Sequence, residues 1–82
     1  MRYFFAAFGS RAQGMRLFDT LKRCGLTVAL INTPREASLG CGLSVKFHEC
    51  SFDAVNDILL SGCYTAFMGF FEYNCGKVYR IN

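Results

Sequence analysis

The spacing of apolar and polar residues along this 82-residue chain changes period several times, and each change predicts an element. Residues 2–8, Arg-Tyr-Phe-Phe-Ala-Ala-Phe, are aromatic and apolar on both faces. That pattern predicts a strand that is covered on both sides, or covered on one and used for association on the other. Gly9-Ser10 ends the run and opens a helix. Ser10 followed three residues later by Gln13 is a capping-box pattern. Ala12, Met15, Phe18, Leu21 and Cys24 recur at near-helical spacing with Leu17 beside them, so Cys24 is read as the end of a buried stripe. Lys22 and Arg23 fall in the last turn, where the helix dipole favours cations, and Gly25 suits the C-terminal cap. Gly14 inside the helix costs about 1 kcal/mol relative to alanine, which implies close packing on a strand.

Residues 26–31, Leu-Thr-Val-Ala-Leu-Ile, predict a second strand. A connection follows over 34–42, in which residues 36–39 have room for one helical turn. Residues 43–48 alternate: Leu43, Val45 and Phe47 point one way, and Ser44, Lys46 and His48 the other. On this reading His48 lies on a solvated polar face. Ser51 is the next candidate cap, Asp53 follows in the first turn, and Val55, Ile58 and Leu59 give the buried face of a helix over 52–61 that stops at Gly62. Cys50 and Cys63 flank it and are read as structural. Residues 64–73 predict a long apolar strand, Asn74-Cys75-Gly76 a turn with an exposed thiol, and 77–81 a returning hairpin strand. The order predicts an α+β fold: a ferredoxin-like βαββαβ sandwich with an added C-terminal β-hairpin strand, in one domain over 1–82. Both helices would cover one face of the sheet.

Composition narrows the function. With 52% hydrophobic residues the chain has the means to build a core, and disorder is not expected. Nine Phe and four Tyr are a heavy aromatic load for a small interior, so the open sheet face is expected to pair with a second copy or another partner. The net charge of +3 is scattered without a basic run, which gives no argument for nucleic acid. The apolar start is too short for a signal peptide or a membrane span, so a cytoplasmic protein is expected. Five cysteines are an odd number without a Cys-x-x-Cys pair, and His48 is the single histidine, so reduced thiols are expected rather than a disulfide framework or a metal centre. No cofactor is expected.

The candidate chemistry lies between Thr33 and Val45. Cys41 stands between Gly40 and Gly42, six residues after Arg35, which itself follows Pro34. Glycine on each side leaves the sulfur uncrowded and allows a tight turn. Backbone N–H groups in such a turn form an anion-binding nest, and a nearby arginine adds fixed positive charge. Both favour the thiolate, the reactive form of cysteine. The competing reading is a turn in which Cys41 is a small buried filler.

The stretch Pro34-Arg35-Glu36-Ala37-Ser38-Leu39-Gly40-Cys41-Gly42-Leu43 resembles the signature of the selenium/sulfur carrier-like proteins, a family of small, mostly bacterial proteins. The likeness in length and element order extends over about residues 2–72, and the aromatic hairpin from Phe70 to Asn82 departs from it. The resemblance implies a protein that holds sulfur or selenium on Cys41 as a persulfide or selenosulfide. Arg35 would then stabilise the anion, and Gly40 and Gly42 would shape the loop. It further implies a donor protein and an acceptor protein. A carrier needs an exposed thiol and docking surfaces but no acid–base set, and the sequence fits that short list better than it fits a self-contained enzyme. Two other readings stay open from the residues. One is a regulatory module that binds a small anionic ligand, with Cys41 incidental. The other is an accessory subunit whose aromatic face is the working part.

Overall fold

The computed structural model describes residues 2–33, 42–74 and 77–81. The elements run β1 (Tyr3–Phe8), α1 (Arg11–Arg23), β2 (Val28–Asn32), β3 (Leu43–His48), a 3₁₀ turn (Glu49–Ser51), α2 (Phe52–Ser61), β4 (Phe67–Asn74) and β5 (Lys77–Arg80). The strands form one antiparallel sheet in the order β2-β3-β1-β4-β5. The chain is therefore α+β, with two helices and a five-stranded antiparallel sheet.

Alternation along β1 splits the sheet into two faces. Phe4, Ala6 and Phe8 join Val45, Phe47 and Phe70 against Leu17 and Leu21 of α1 and Val55 and Leu59 of α2. Phe5 and Ala7 point the other way, where Phe5 stacks on Phe71 with ring centroids 5.4 Å apart. The guanidinium of Arg80 lies 5.7 Å from the centre of the Phe71 ring on that face. Phe4, Phe8, Phe47, Phe52, Phe67 and Phe70 all pack on the helix side. Most of the aromatic surplus is thus the main core, and the share left to the open face is small.

The first helix forms much as its punctuation predicts. Ser10 Oγ accepts from the backbone N–H of Gln13 at 3.3 Å. The reciprocal half of the capping box is not made, because Gln13 bonds elsewhere: its Nε2 donates to Thr65 Oγ1 at 2.9 Å and its Oε1 accepts from Ala66 N–H at 2.8 Å. At the far end Gly25 adopts φ +84°, Gly25 N–H bonds to Lys22 O and Leu26 N–H to Leu21 O, which is a Schellman motif. This corrects the placement of Cys24. The turn folds Leu26 back onto the core and leaves Cys24 exposed. The buried stripe is also rotated from the expected one. It consists of Gly14, Leu17 and Leu21, with Phe18 half-buried and Met15 50% exposed. Gly14 is buried because a Cβ there would lie 3.3 Å from Leu43 Cβ, so helix and strand meet at backbone distance.

Three further expectations need adjustment. Residues 64–66 form a turn, so β4 starts at Phe67. Ser51 occupies the N-cap position of α2 but its side chain makes no capping bond. Within β4 the pairing with β1 slips: Ala7 faces Gly69 and Phe8 faces Phe67, leaving Met68 as the extra residue of a bulge. Gly69 accommodates it with φ +132°. The bulge turns Phe67 to the same side as Phe70, with ring centroids 5.0 Å apart. Strict alternation would have put those two rings on opposite faces.

Candidate functional site

Of the expected site residues, Arg35, Gly40 and Cys41 lie outside the described residues, and so does the rival thiol Cys75. Gly42, the covalent neighbour of Cys41, is described and buried. It closes the stem of the 34–41 segment: Thr33 N–H donates to Gly42 O at 3.1 Å, extending the β2–β3 pairing by one step beyond Asn32 and Leu43. A Cβ at position 42 would stand 2.7 Å from the backbone carbonyl oxygen of Phe8 and 2.9 Å from Thr33 Oγ1. Glycine is required there for close approach, not for a left-handed backbone, since Gly25 and Gly69 are the described glycines with positive φ. Thr33 Oγ1 and Ser44 Oγ are bonded at 2.7 Å, and Ser44 is fully buried. Ser44 is therefore not the solvated residue that alternation suggested. Its hydroxyl is satisfied by the residue at the other side of the stem, which removes the usual penalty for burying a polar group. With Gly14 of α1 pressed on Leu43, the stem is held by the ends of β1, β2 and β3 and by the first half of α1.

The opposite end of β3 holds a second cluster that sequence reading passed over. His48 Nδ1 accepts from Cys50 N–H at 3.2 Å and lies 3.0 Å from Cys50 Sγ. His48 is thus the side-chain cap of the 3₁₀ turn that leads into α2. Its ring stands perpendicular to that of Tyr3, centroids 5.5 Å apart at 88°, and its Nε2 is buried without a hydrogen-bond partner among the described residues. Two corrections follow. His48 is not a freely solvated residue, and Cys50 is an exposed free thiol, as are Cys63 and Cys24. The signal was present as His-x-Cys immediately before a predicted helix, the spacing at which a side-chain acceptor reaches the N–H two residues on.

Beside this cluster Arg2 grips Glu72 in a two-pronged pair, with Nε donating to Oε2 at 2.5 Å and Nη2 to Oε1 at 2.8 Å. Arg2 Nη1 also approaches Glu49 Oε2 at 3.6 Å. The hydrogen bond from Arg2, followed by partial burial acting the other way and the Arg2 charge, leaves the Glu72 carboxyl below its ordinary range. The same bond raises the Arg2 guanidinium further. These contacts tether the residue before β1 to β4. A shallow groove of about 220 Å³ at the β2 edge, lined by Tyr3, Thr27, Val28, Ala29, Lys46 and Phe47, gathers no acid–base pair. Among the described residues no group of His, Cys, Asp and Glu is placed to hold a metal ion. No helix among them is long and apolar enough to cross a membrane.

Fold and stem together define a small α+β protein in which the paired strands β2 and β3 are joined in sequence by a Pro-Arg-to-Cys-Gly stretch. Residues 3–64 match the family described as "Putative Se/S carrier protein-like", and the chain belongs to that family. The match covers β1 through α2 and stops just before β4, so the aromatic hairpin lies beyond it. No curated protein and no solved structure matches the chain.

Proposed function

We propose that this chain carries sulfur or selenium on Cys41, as a persulfide or selenosulfide, between a donor and an acceptor protein. The observation that carries the reading is the stem: Gly42, next to Cys41, is wedged against the Phe8 carbonyl inside a segment of chain matched to a carrier-like family. A close-packed stem supports a thiol that must meet two partners in turn, because it fixes the point from which Cys41 is presented. In the transfer step the Cys41 thiolate attacks the outer sulfur of a donor persulfide. A new S–S bond forms at Cys41, the donor S–S bond breaks, and the donor leaves as its thiolate. Arg35 and the glycines at 40 and 42 favour the anion in both states of Cys41.

The sheet order β2-β3-β1-β4-β5 supports a ferredoxin-like βαββαβ core with β5 added beside β4. Free exposed thiols at Cys24, Cys50 and Cys63 support a reducing, cytoplasmic setting. Ile31, Met68 and Val78 around the Phe5–Phe71 stack supply apolar area for a homodimer or for the docking partners.

The test is sulfur loading from a cysteine desulfurase, with each cysteine read by peptide mass spectrometry. A gain of one sulfur atom at Cys41 that disappears in Cys41→Ser is the expected result. Loading that survives in Cys41→Ser, or that never reaches position 41 in the native chain, overturns the reading.

A further inference from the structure

We propose that Cys50, assisted by His48, is a second reactive thiol that undergoes exchange with small disulfides, independently of Cys41. Three observations meet at this point. Cys50 is exposed, so a small disulfide can reach its sulfur. Its Sγ lies 3.0 Å from His48 Nδ1, within reach of proton transfer. The imidazole is held by a perpendicular contact with the Tyr3 ring and by the Cys50 N–H, and its other nitrogen is buried.

That geometry sets the proton positions. Because Nδ1 accepts the Cys50 N–H, the neutral ring carries its proton on Nε2, and the single Nδ1 lone pair is shared between that N–H and the Cys50 thiol. The charged groups around the ring are Glu49 on the same turn, Arg2 paired with Glu49 at 3.6 Å, and Lys46, whose ammonium sits 4.7 Å from the centre of the Tyr3 ring. Arg2 is shared between Glu72, its close two-pronged partner, and Glu49 at the longer distance, so no unpaired cation stands beside the thiol on that side, and the imidazole is the group in contact with its sulfur.

In the exchange step the Cys50 S–H proton passes to His48 Nδ1, which releases the Cys50 N–H and donates to the thiolate instead, and the thiolate attacks one sulfur of the disulfide R–S–S–R. The Cys50–S–S–R bond forms as the original S–S bond breaks. The leaving R–S⁻ takes the proton back from Nδ1 and departs as R–SH. Cys50 is oxidised to the disulfide level and the departing thiol is reduced, so no other oxidant enters. An ordinary thiol is only a few per cent thiolate at neutral pH, so a base that takes the proton leaves room for about a tenfold acceleration.

The protein carries its own references, since Cys24 and Cys63 are also exposed and free while the one histidine of the chain stands beside Cys50. The full reduced chain is mixed with 2,2′-dithiodipyridine at neutral pH, quenched at intervals, and each cysteine is read by peptide mass spectrometry. Cys50 is expected to outrun Cys24 and Cys63 by about tenfold. The deciding variant is His48→Asn. Asparagine at that position accepts the N–H two residues on through its side-chain oxygen, so the turn is kept while the base is lost. In His48→Asn, Cys50 is expected to fall to within about twofold of the two reference thiols, whose own rates stay unchanged and so report that the fold is kept. A Cys50 no faster than Cys24 and Cys63 in the native chain overturns the proposal, as does a lead that survives His48→Asn.

Discussion

The two ends of β3 make opposite uses of the same strand. At the Leu43 end everything is close-packed backbone: Gly42 against the Phe8 carbonyl, Gly14 against Leu43, and a single buried hydroxyl pair between Thr33 and Ser44. At the His48 end the contacts are made by side chains with charge or titratable protons, His48 with Cys50 and Arg2 with Glu49 and Glu72. The strand is six residues long, so the two ends stand roughly 17 Å apart at the usual strand rise. The first end is close-packed, and under the proposed carrier role it gives Cys41 a fixed anchor. The second end is built to exchange protons, and its tolerance of substitution is correspondingly greater.

That contrast is tested hardest at Gly42. Gly42→Ala pushes a methyl group into a backbone carbonyl that cannot step aside, and a loss of about 2–3 kcal/mol is expected from urea unfolding. A loss below half a kcal/mol would mean the stem is not rigid. Ser44→Ala comes next. It removes one half of a buried hydroxyl pair and leaves Thr33 Oγ1 short of a partner, at a cost of about 1 kcal/mol in the same measurement. A neutral result would show that the pair is replaced by water.

The smallest effect belongs to the other end. Glu72→Gln removes a carboxylate whose titration is held below the ordinary value of 4.5 by Arg2. A depressed folded value stabilises the fold above pH 4.5, and the stabilisation fades as pH falls through the lower folded value. The variant is therefore expected to melt below the native protein at pH 7, with the gap closing as pH falls below 4.5 and through the lower folded value. Arg2 is 55% exposed, so solvent screening keeps the neutral-pH gap small. A gap that stays constant down to pH 2 would assign the loss to packing instead of charge.

Much of this architecture was legible in local sequence. The Ser10 and Gly25 boundaries of α1, the span of α2, the alternation of β3 and the hairpin after Asn74 each depend on residues within a turn or two of one another. Gly14 was readable too, as a helix residue whose cost implies a close neighbour, though Leu43 as that neighbour was not. The Pro-Arg-to-Cys-Gly stretch pointed to the family on residue identity alone, and the match over residues 3–64 agrees with it.

What only the tertiary structure decided involves partners distant in sequence. The bulge at Met68 depends on how β4 pairs with β1, and it reverses the side on which Phe67 lies. The rotation of the α1 stripe away from Met15 and Cys24 depends on where β3 presses against Gly14. Ser44 reads as a surface residue until β2 brings Thr33 to it. Gln13 leaves the capping box because Thr65 and Ala66 offer it better-placed partners. Local propensities fix where elements start and stop because those energies are set by neighbours along the chain. Which face a residue occupies, and whether its polar atoms are satisfied, are set by residues that only folding brings within contact distance.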